Sequence, residues 1–344
     1  MRTLWLLSVA ALTQAPPPLY TSPASLSFGT QSLDLPYADA AGLTRTVPLQ
    51  VRIPVTGQVL GNTPLPVVVW SQVADLEAWS VTTARAGYLT VTVAHPTRTD
   101  SDKAALCKAI RIEEAACIAF DSAAWDRAQD LIRVIAALEV QNQSGPNEIR
   151  GRIDLTRIAV GGFGEGASAA LTIAGATRLL RPQATRESPD TLVSSRPIAF
   201  IAISPPGPQH EGFYDTDFRQ NTHSWQKLDR SILAITAAGD NTCQQHIGCN
   251  VQGSTPAIRT MTYDLMPAGA KYLMFLKTVE IDHAFLGSLD TADCDACVNP
   301  SRWMRSSVLA YLDAVVRKIP AAATWISEGS IQDASGKVVT WRKK

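Results

Sequence analysis

The sequence has no surplus of charge of either sign: Lys plus Arg and Asp plus Glu both number 31. It contains no basic run with interleaved aromatics, so neither nucleic acid nor an anionic membrane surface is an expected partner. Beyond Leu12 no apolar run approaches the roughly 20 residues that a bilayer-spanning helix needs. Internal repeats and low-complexity segments are absent too, which excludes solenoids and long solvated tails. Histidine is scarce, at 5 in 344 residues, so each imidazole can be weighed by itself. What remains is an ordinary globular composition, 46% hydrophobic and 18% charged, sufficient for one large α/β domain or two small ones.

The first residues read as an address. Met1 and Arg2 give a positive start, Leu4 to Leu12 a short apolar core, and Leu12-Thr13-Gln14-Ala15 ends in small residues before three prolines. Residues 1–15 therefore read as a signal peptide, and the expected location is secreted or periplasmic. Six cysteines, Cys107, Cys117, Cys243, Cys249, Cys294 and Cys297, form the even set expected of disulfides in an oxidising compartment. Cys107 with Cys117 is the simplest pair, being local and flanking one insertion. Cys243, His246 and Cys249, with Cys294 and Cys297, also have the close spacing of a zinc site, but exported thiolates are generally oxidised before a metal holds them. No metal is expected. Disulfides among the last four cysteines would staple together the loops after two late strands.

The patterning alternates strands with helices. Val47, Leu49, Val51 and Ile53 give a period-2 strand whose Pro48 and Pro54 suggest a sheet edge. β-Branched runs follow at 65–71 and 88–96, separated by a helix-compatible segment at 75–86. The strongest helix, 121–140, opens on an Asp cap and aligns Ala128, Leu131, Ile132, Ile135 and Leu138 on one face. Further strands are expected at 157–162, 197–204, 231–238 and 271–279, and a closing amphipathic helix at about 302–317. This rhythm predicts a doubly wound, mostly parallel α/β sheet with helices on both faces. The expected division is a signal peptide over 1–15, an N-terminal extension over 16–46, the α/β domain over 47–318 and a C-terminal tail over 319–344.

One junction carries the outline of an active site. Gly162-Phe163-Gly164-Glu165-Gly166 lies between a buried strand and a small-residue helix, and it fits the GxSxG nucleophile-elbow frame except that its centre is glycine. Asp240 follows a later strand and His283 the strand after that, giving the order nucleophile position, acid, histidine.

These pieces together resemble the α/β-hydrolase superfamily, and within it the secreted esterases similar to dienelactone hydrolase and platelet-activating-factor acetylhydrolase. The resemblance covers about Val47 to Arg317. It rests on "PVVVWSQ", where that family has a strand ending in Ser-His-Gly, and on "RAGYLTVTVAHP", "GRIDLTRIAVGGFGEG", "ITAAGD" and "KYLMFLKTVEIDHAF". It implies that Asp240 would orient His283, that His283 would be the general base, and that a serine at position 164 would be the nucleophile. Position 164 is instead a glycine, with no nucleophile. The oxyanion region also departs from the family, with Ser71-Gln72-Val73 in place of Ser-His-Gly: a backbone N–H at Val73 could still point at a developing oxyanion, but the glycine that lets substrate approach closely is gone.

Replacements for the nucleophile are poorly placed. Glu165 is one residue past the apex and reads as a first-turn carboxylate favoured by the helix dipole. Ser168 reads as a small packing residue, and Ser71 corresponds to a structural serine of the family. The resemblance therefore implies a pocket that binds a small-molecule or lipid ester, no cofactor, and serine hydrolase activity that is lost or strongly reduced. The alternative is an active esterase with a relocated nucleophile or with water activated by His283.

Overall fold

A computed structural model describes residues 16–55, 63–72, 76–208, 210–215, 222–242 and 255–344. The proposed signal peptide over 1–15, Val73, Cys243, His246 and Cys249 lie outside the described residues.

Nine strands form one sheet: β1 (Phe28–Ala38), β2 (Thr44–Pro54), β3 (Leu65–Gln72), β4 (Leu89–Ala94), β5 (Ile153–Phe163), β6 (Ala199–Ile203), β7 (Ser231–Ala237), β8 (Lys271–Leu276) and β9 (Val339–Lys343). Their order across the sheet is β1-β2-β4-β3-β5-β6-β7-β8-β9. From β4 to β8 every pairing is parallel, and antiparallel strands close both edges. The reversal of strand order between β3 and β5 puts the carboxyl ends of these strands at a topological switch point, where sheets of this kind bind ligands.

Alternation of side chains builds two cores. On β3, Val68 and Trp70 pack into one buried layer while Leu65, Val67 and Val69 pack into the other. The first layer is covered by α1 (Glu77–Arg85), through Trp79, and by α8 (Val298–Val315), through Met304, Val308, Tyr311 and Leu312. The second is covered by α4 (Ser122–Ser144), through Leu131, Val134, Ile135 and Leu138, and by α5 (Glu165–Ala174), whose alanines let it lie close to the sheet. Asp121 caps α4 by accepting from Ala124 N, so the predicted start of that helix is observed. Helices on both faces of a mostly parallel sheet are the architecture the patterning predicts.

Two features differ from expectation. Residues 28–38, read as part of an extension, form β1, and 339–343 form β9, so the sheet reaches past both ends of the 47–318 stretch. β2 is not an edge strand, because β1 covers it. Its prolines are tolerated for a local reason: β4 pairs with β2 only over Leu49–Arg52, so Pro48 and Pro54 face one neighbouring strand rather than two.

Between β4 and α4 the chain inserts α2 (Asp100–Ala109) and α3 (Glu114–Cys117), joined by the Cys107–Cys117 disulfide at 2.01 Å. This is the pairing expected. Cys294 bonds to Cys297 at 2.00 Å, a bridge within one short turn. It therefore cannot staple the loop after β7 to the loop after β8, and two of the five candidate zinc ligands are already consumed. Among the described residues no helix is long and apolar enough to cross a membrane.

Candidate active site

β5 runs directly into α5 through Gly164, whose φ of 55° and ψ of −118° are costly for any residue with a side chain. The turn is held from both sides. Gly164 N donates to Ile203 O at 3.0 Å, and Ser168 N donates to Gly164 O at 3.1 Å. Gly162 and Gly166 are required by proximity: a Cβ on Gly162 would lie 2.2 Å from the Gly166 carbonyl, and one on Gly166 would lie 2.4 Å from Ser71 O. Neither close approach involves the apex. Among the described residues, a Cβ on Gly164 would meet only His283, at 3.8 Å from both Cε1 and Nε2.

The acid and the histidine come from the next two strand ends. An isolated parallel bridge between Gly239 and Asp282 carries the β7–β8 register past the strands, holding the residues adjacent to Asp240 and His283 side by side. His283 opens α7 (His283–Ser288), which Asp282 caps by accepting from Phe285 N. Its Nδ1 lies 2.9 Å from Asp240 Oδ1 and 2.8 Å from Ser204 Oγ, and the Phe163 ring packs 4.5 Å from the imidazole. The three positions chosen from sequence, Gly164, Asp240 and His283, thus meet in space.

Two residues that sequence reasoning missed complete this cluster. Ser204 directly follows β6, with φ of 49°, and is fully buried, and its hydroxyl donates to Asp240 Oδ1 at 2.9 Å. Its oxygen is then an acceptor for the Nδ1–H of His283, so the network assigns the proton to Nδ1 and the lone pair to Nε2. Arg259, on α6 (Pro256–Leu265), is 3% exposed; its Nε lies 3.1 Å from Asp240 Oδ1, and its Nη1 donates to Ser204 O at 3.0 Å. Thr236 donates to Asp240 Oδ2 at 2.7 Å. Burial raises the Asp240 pKa, but the His283 hydrogen bond, the Arg259 charge and Thr236 together outweigh it, leaving the carboxyl below its ordinary value. The buried carboxylate is therefore ionised, with a guanidinium as its counter-ion.

The other candidates occupy ordinary places. Glu165 forms an ion pair with Arg127, and burial lifts its pKa in spite of that partner. Ser168 is fully buried and its hydroxyl turns back to Gly164 O at 3.4 Å. Gln72 lines a cavity of about 350 Å³ with Asp34, Gln50, Glu77 and Thr92, none of which belongs to the Gly164–His283 cluster.

A second constellation stands one strand away. Ser71 Oγ is 2.9 Å from His95 Nε2, and His95 Nδ1 is 2.9 Å from Asp130 Oδ2. Arg45 grips the same carboxylate from Nε and Nη2 at 2.8 and 2.9 Å, and the Tyr37 hydroxyl donates to it at 2.6 Å. Ser71 and Asp130 are fully buried and the His95 side chain is 6% exposed, so this relay ties β1, β2, β3, β4 and α4 together out of reach of solvent.

Burial lowers the His95 pKa, against the opposing pull of Asp130. In the unfolded chain the imidazole would titrate near its ordinary value of about 6.5, so the unfolded state binds the proton more readily. The stability that neutral His95 contributes is complete above that value and is lost as pH falls through it towards the lower folded value. The melting temperature should therefore drop between about pH 7.5 and about pH 5.5, and more gently in His95→Gln. Parallel thermal melts across that range test this, and equal slopes would count against it.

No protein-family model matches the chain, and no curated protein matches it.

Proposed function

We propose that the chain is an exported α/β-hydrolase-fold protein descended from a carboxylic-ester hydrolase, whose serine hydrolase activity is lost or strongly reduced and whose site binds a small-molecule or lipid ester. One observation carries this reading: the strand-to-helix turn keeps a strained apex at Gly164, and His283, backed by Asp240, faces the position where a side chain would begin. A general base is useful only if it faces a group to deprotonate. Export draws support from the two disulfides, which persist in oxidising compartments.

A second reading is an active hydrolase with a relocated nucleophile or with water activated by His283. The Ser71–His95–Asp130 relay favours its first form by hydrogen-bond geometry. Burial weighs against it, since an ester carbonyl has no path to a serine that is 0% exposed beneath the close contact with Gly166. Fluorophosphonate probes report activated serines directly. The mature protein should show no labelling, and short-chain nitrophenyl esters should be turned over at no more than a trace rate. Stoichiometric labelling of Ser71 would replace the first reading with the second, and fast turnover abolished by His283→Ala would favour activated water.

A further inference from the structure

We infer that the position above Gly164 is a seat for the hydroxyl group of an alcohol, which donates its hydrogen bond to Nε2 of His283. The inference rests on the proposed function for the place of the site and deepens it by naming the group that the site recognises.

Three observations lead there. The first is room. Among the described residues, a Cβ at Gly164 would touch only the edge of the imidazole, in ordinary van der Waals contact at 3.8 Å, so a small group carried by a ligand fits where a serine side chain would stand. An oxygen there is within hydrogen-bond reach of Nε2, at about 2.8 Å.

The second is polarity. With Nδ1–H directed at Asp240 and Ser204, Nε2 is an acceptor, and among the described residues it has no donor. The Phe163 ring, 4.5 Å away, limits rotation of the imidazole. An acceptor selects a donor, so it discriminates against ether and carbonyl oxygens and favours O–H.

The third is charge. Arg259 already compensates the charge of Asp240, at 3.1 Å. A carboxylate at the seat would bring its lone pairs against that of Nε2 without a proton between them. The site is thus suited to a free hydroxyl, carried elsewhere on an ester ligand or by the alcohol released from it, and not to a carboxylate.

The test uses the mature chain, labelled with ¹⁵N at histidine, and three small probes: butan-1-ol, its methyl ether, and butanoate at neutral pH. Butan-1-ol should move the His283 Nε2 resonance saturably. The ether should bind roughly threefold to tenfold more weakly, the worth of one neutral hydrogen bond, and butanoate should leave Nε2 unmoved. Gly164→Ser, whose own hydroxyl fills the seat, should no longer respond to butan-1-ol, and Gly164→Ala serves the same purpose should the serine variant fold poorly. Equal binding of alcohol and ether, no response to the alcohol, or an undiminished response in both variants would each overturn the seat. Esterase activity of Gly164→Ser reports separately on ancestry. Gain of activity without alcohol selectivity would remove only the seat, and selectivity without gain would remove only the hydrolase reading.

Discussion

Replacing Gly164 with serine should give ester hydrolysis well above that of the parent. The backbone there already has φ of 55°, so the substitution asks for no new turn, only that a side chain accept a strained one. Such strain costs on the order of 1–3 kcal/mol, which a domain of this size can absorb. The added Cβ fits without collision, 3.8 Å from His283 Nε2, and the hydroxyl beyond it comes within reach of that lone pair. General-base assistance contributes roughly a hundredfold to ten-thousandfold, so nitrophenyl ester turnover should rise at least about a hundredfold over the parent. It should still fall short of an intact esterase. On the proposed function, Gln72 and Val73 stand where an esterase of that kind has its oxyanion segment, and loss of one donor there costs about a hundredfold to a thousandfold. The gain should vanish in Gly164→Ser/His283→Ala. A well-folded serine variant that stays inactive would show that the Asp240–His283 pair no longer supports this chemistry.

The largest loss of stability should follow from Asp130→Ala. That carboxylate accepts from Arg45, His95 and Tyr37, and it is fully buried. Its removal leaves a guanidinium that is 6% exposed without its main counter-charge, although Asp126 remains 3.5 Å away. Breaking a buried pair from one side costs about 3–5 kcal/mol. Chemical denaturation of the two proteins measures it, and a loss below about 1 kcal/mol would mean that Asp126 takes over the role. Because the relay lies outside the Gly164 cluster, Asp130→Ala in the Gly164→Ser background should lower stability without abolishing the gained activity. Abolition in a protein still folded would tie the relay to catalysis.

The strand and helix order was legible because central parallel strands are β-branched on both faces and the covering helices carry regular apolar stripes. β1 was not. Its residues are half-buried or exposed, with Leu33, Leu35 and Tyr37 only partly covered, and Pro36 is a residue that strand interiors disfavour. β9 is five residues long and ends in charge. In the site, Gly164, Asp240 and His283 were found because each follows a recognisable strand. Ser204 carried only a faint signal, a serine at a strand end before two prolines, and its positive φ is a tertiary property. Arg259 reaches Asp240 from a helix that no pattern links to it. The Ser71–His95–Asp130 relay draws its residues from β3, the loop directly after β4, and α4. Only the pair Asp126 and Asp130, one turn apart on the buried side of an apolar helix, hinted that a cation lay opposite.

The contacts of residues 18–22 bear on the order in which this chain can fold. Tyr20 donates to Asp313 at 2.8 Å and packs on Trp325, Trp325 Nε1 donates to Pro18 O at 3.3 Å, and Arg317 reaches Ser22. A chain that emerges N-terminus first must hold this segment without partners until nearly three hundred further residues have appeared, since the Tyr20–Asp313 pair spans 293 positions. Contacts of such separation form late and slow the search for the native state. Completion of the fold is therefore timed by the last helices, and a polypeptide stalled before α8 would remain open along the face of the sheet that α8 covers, and exposed there to proteases.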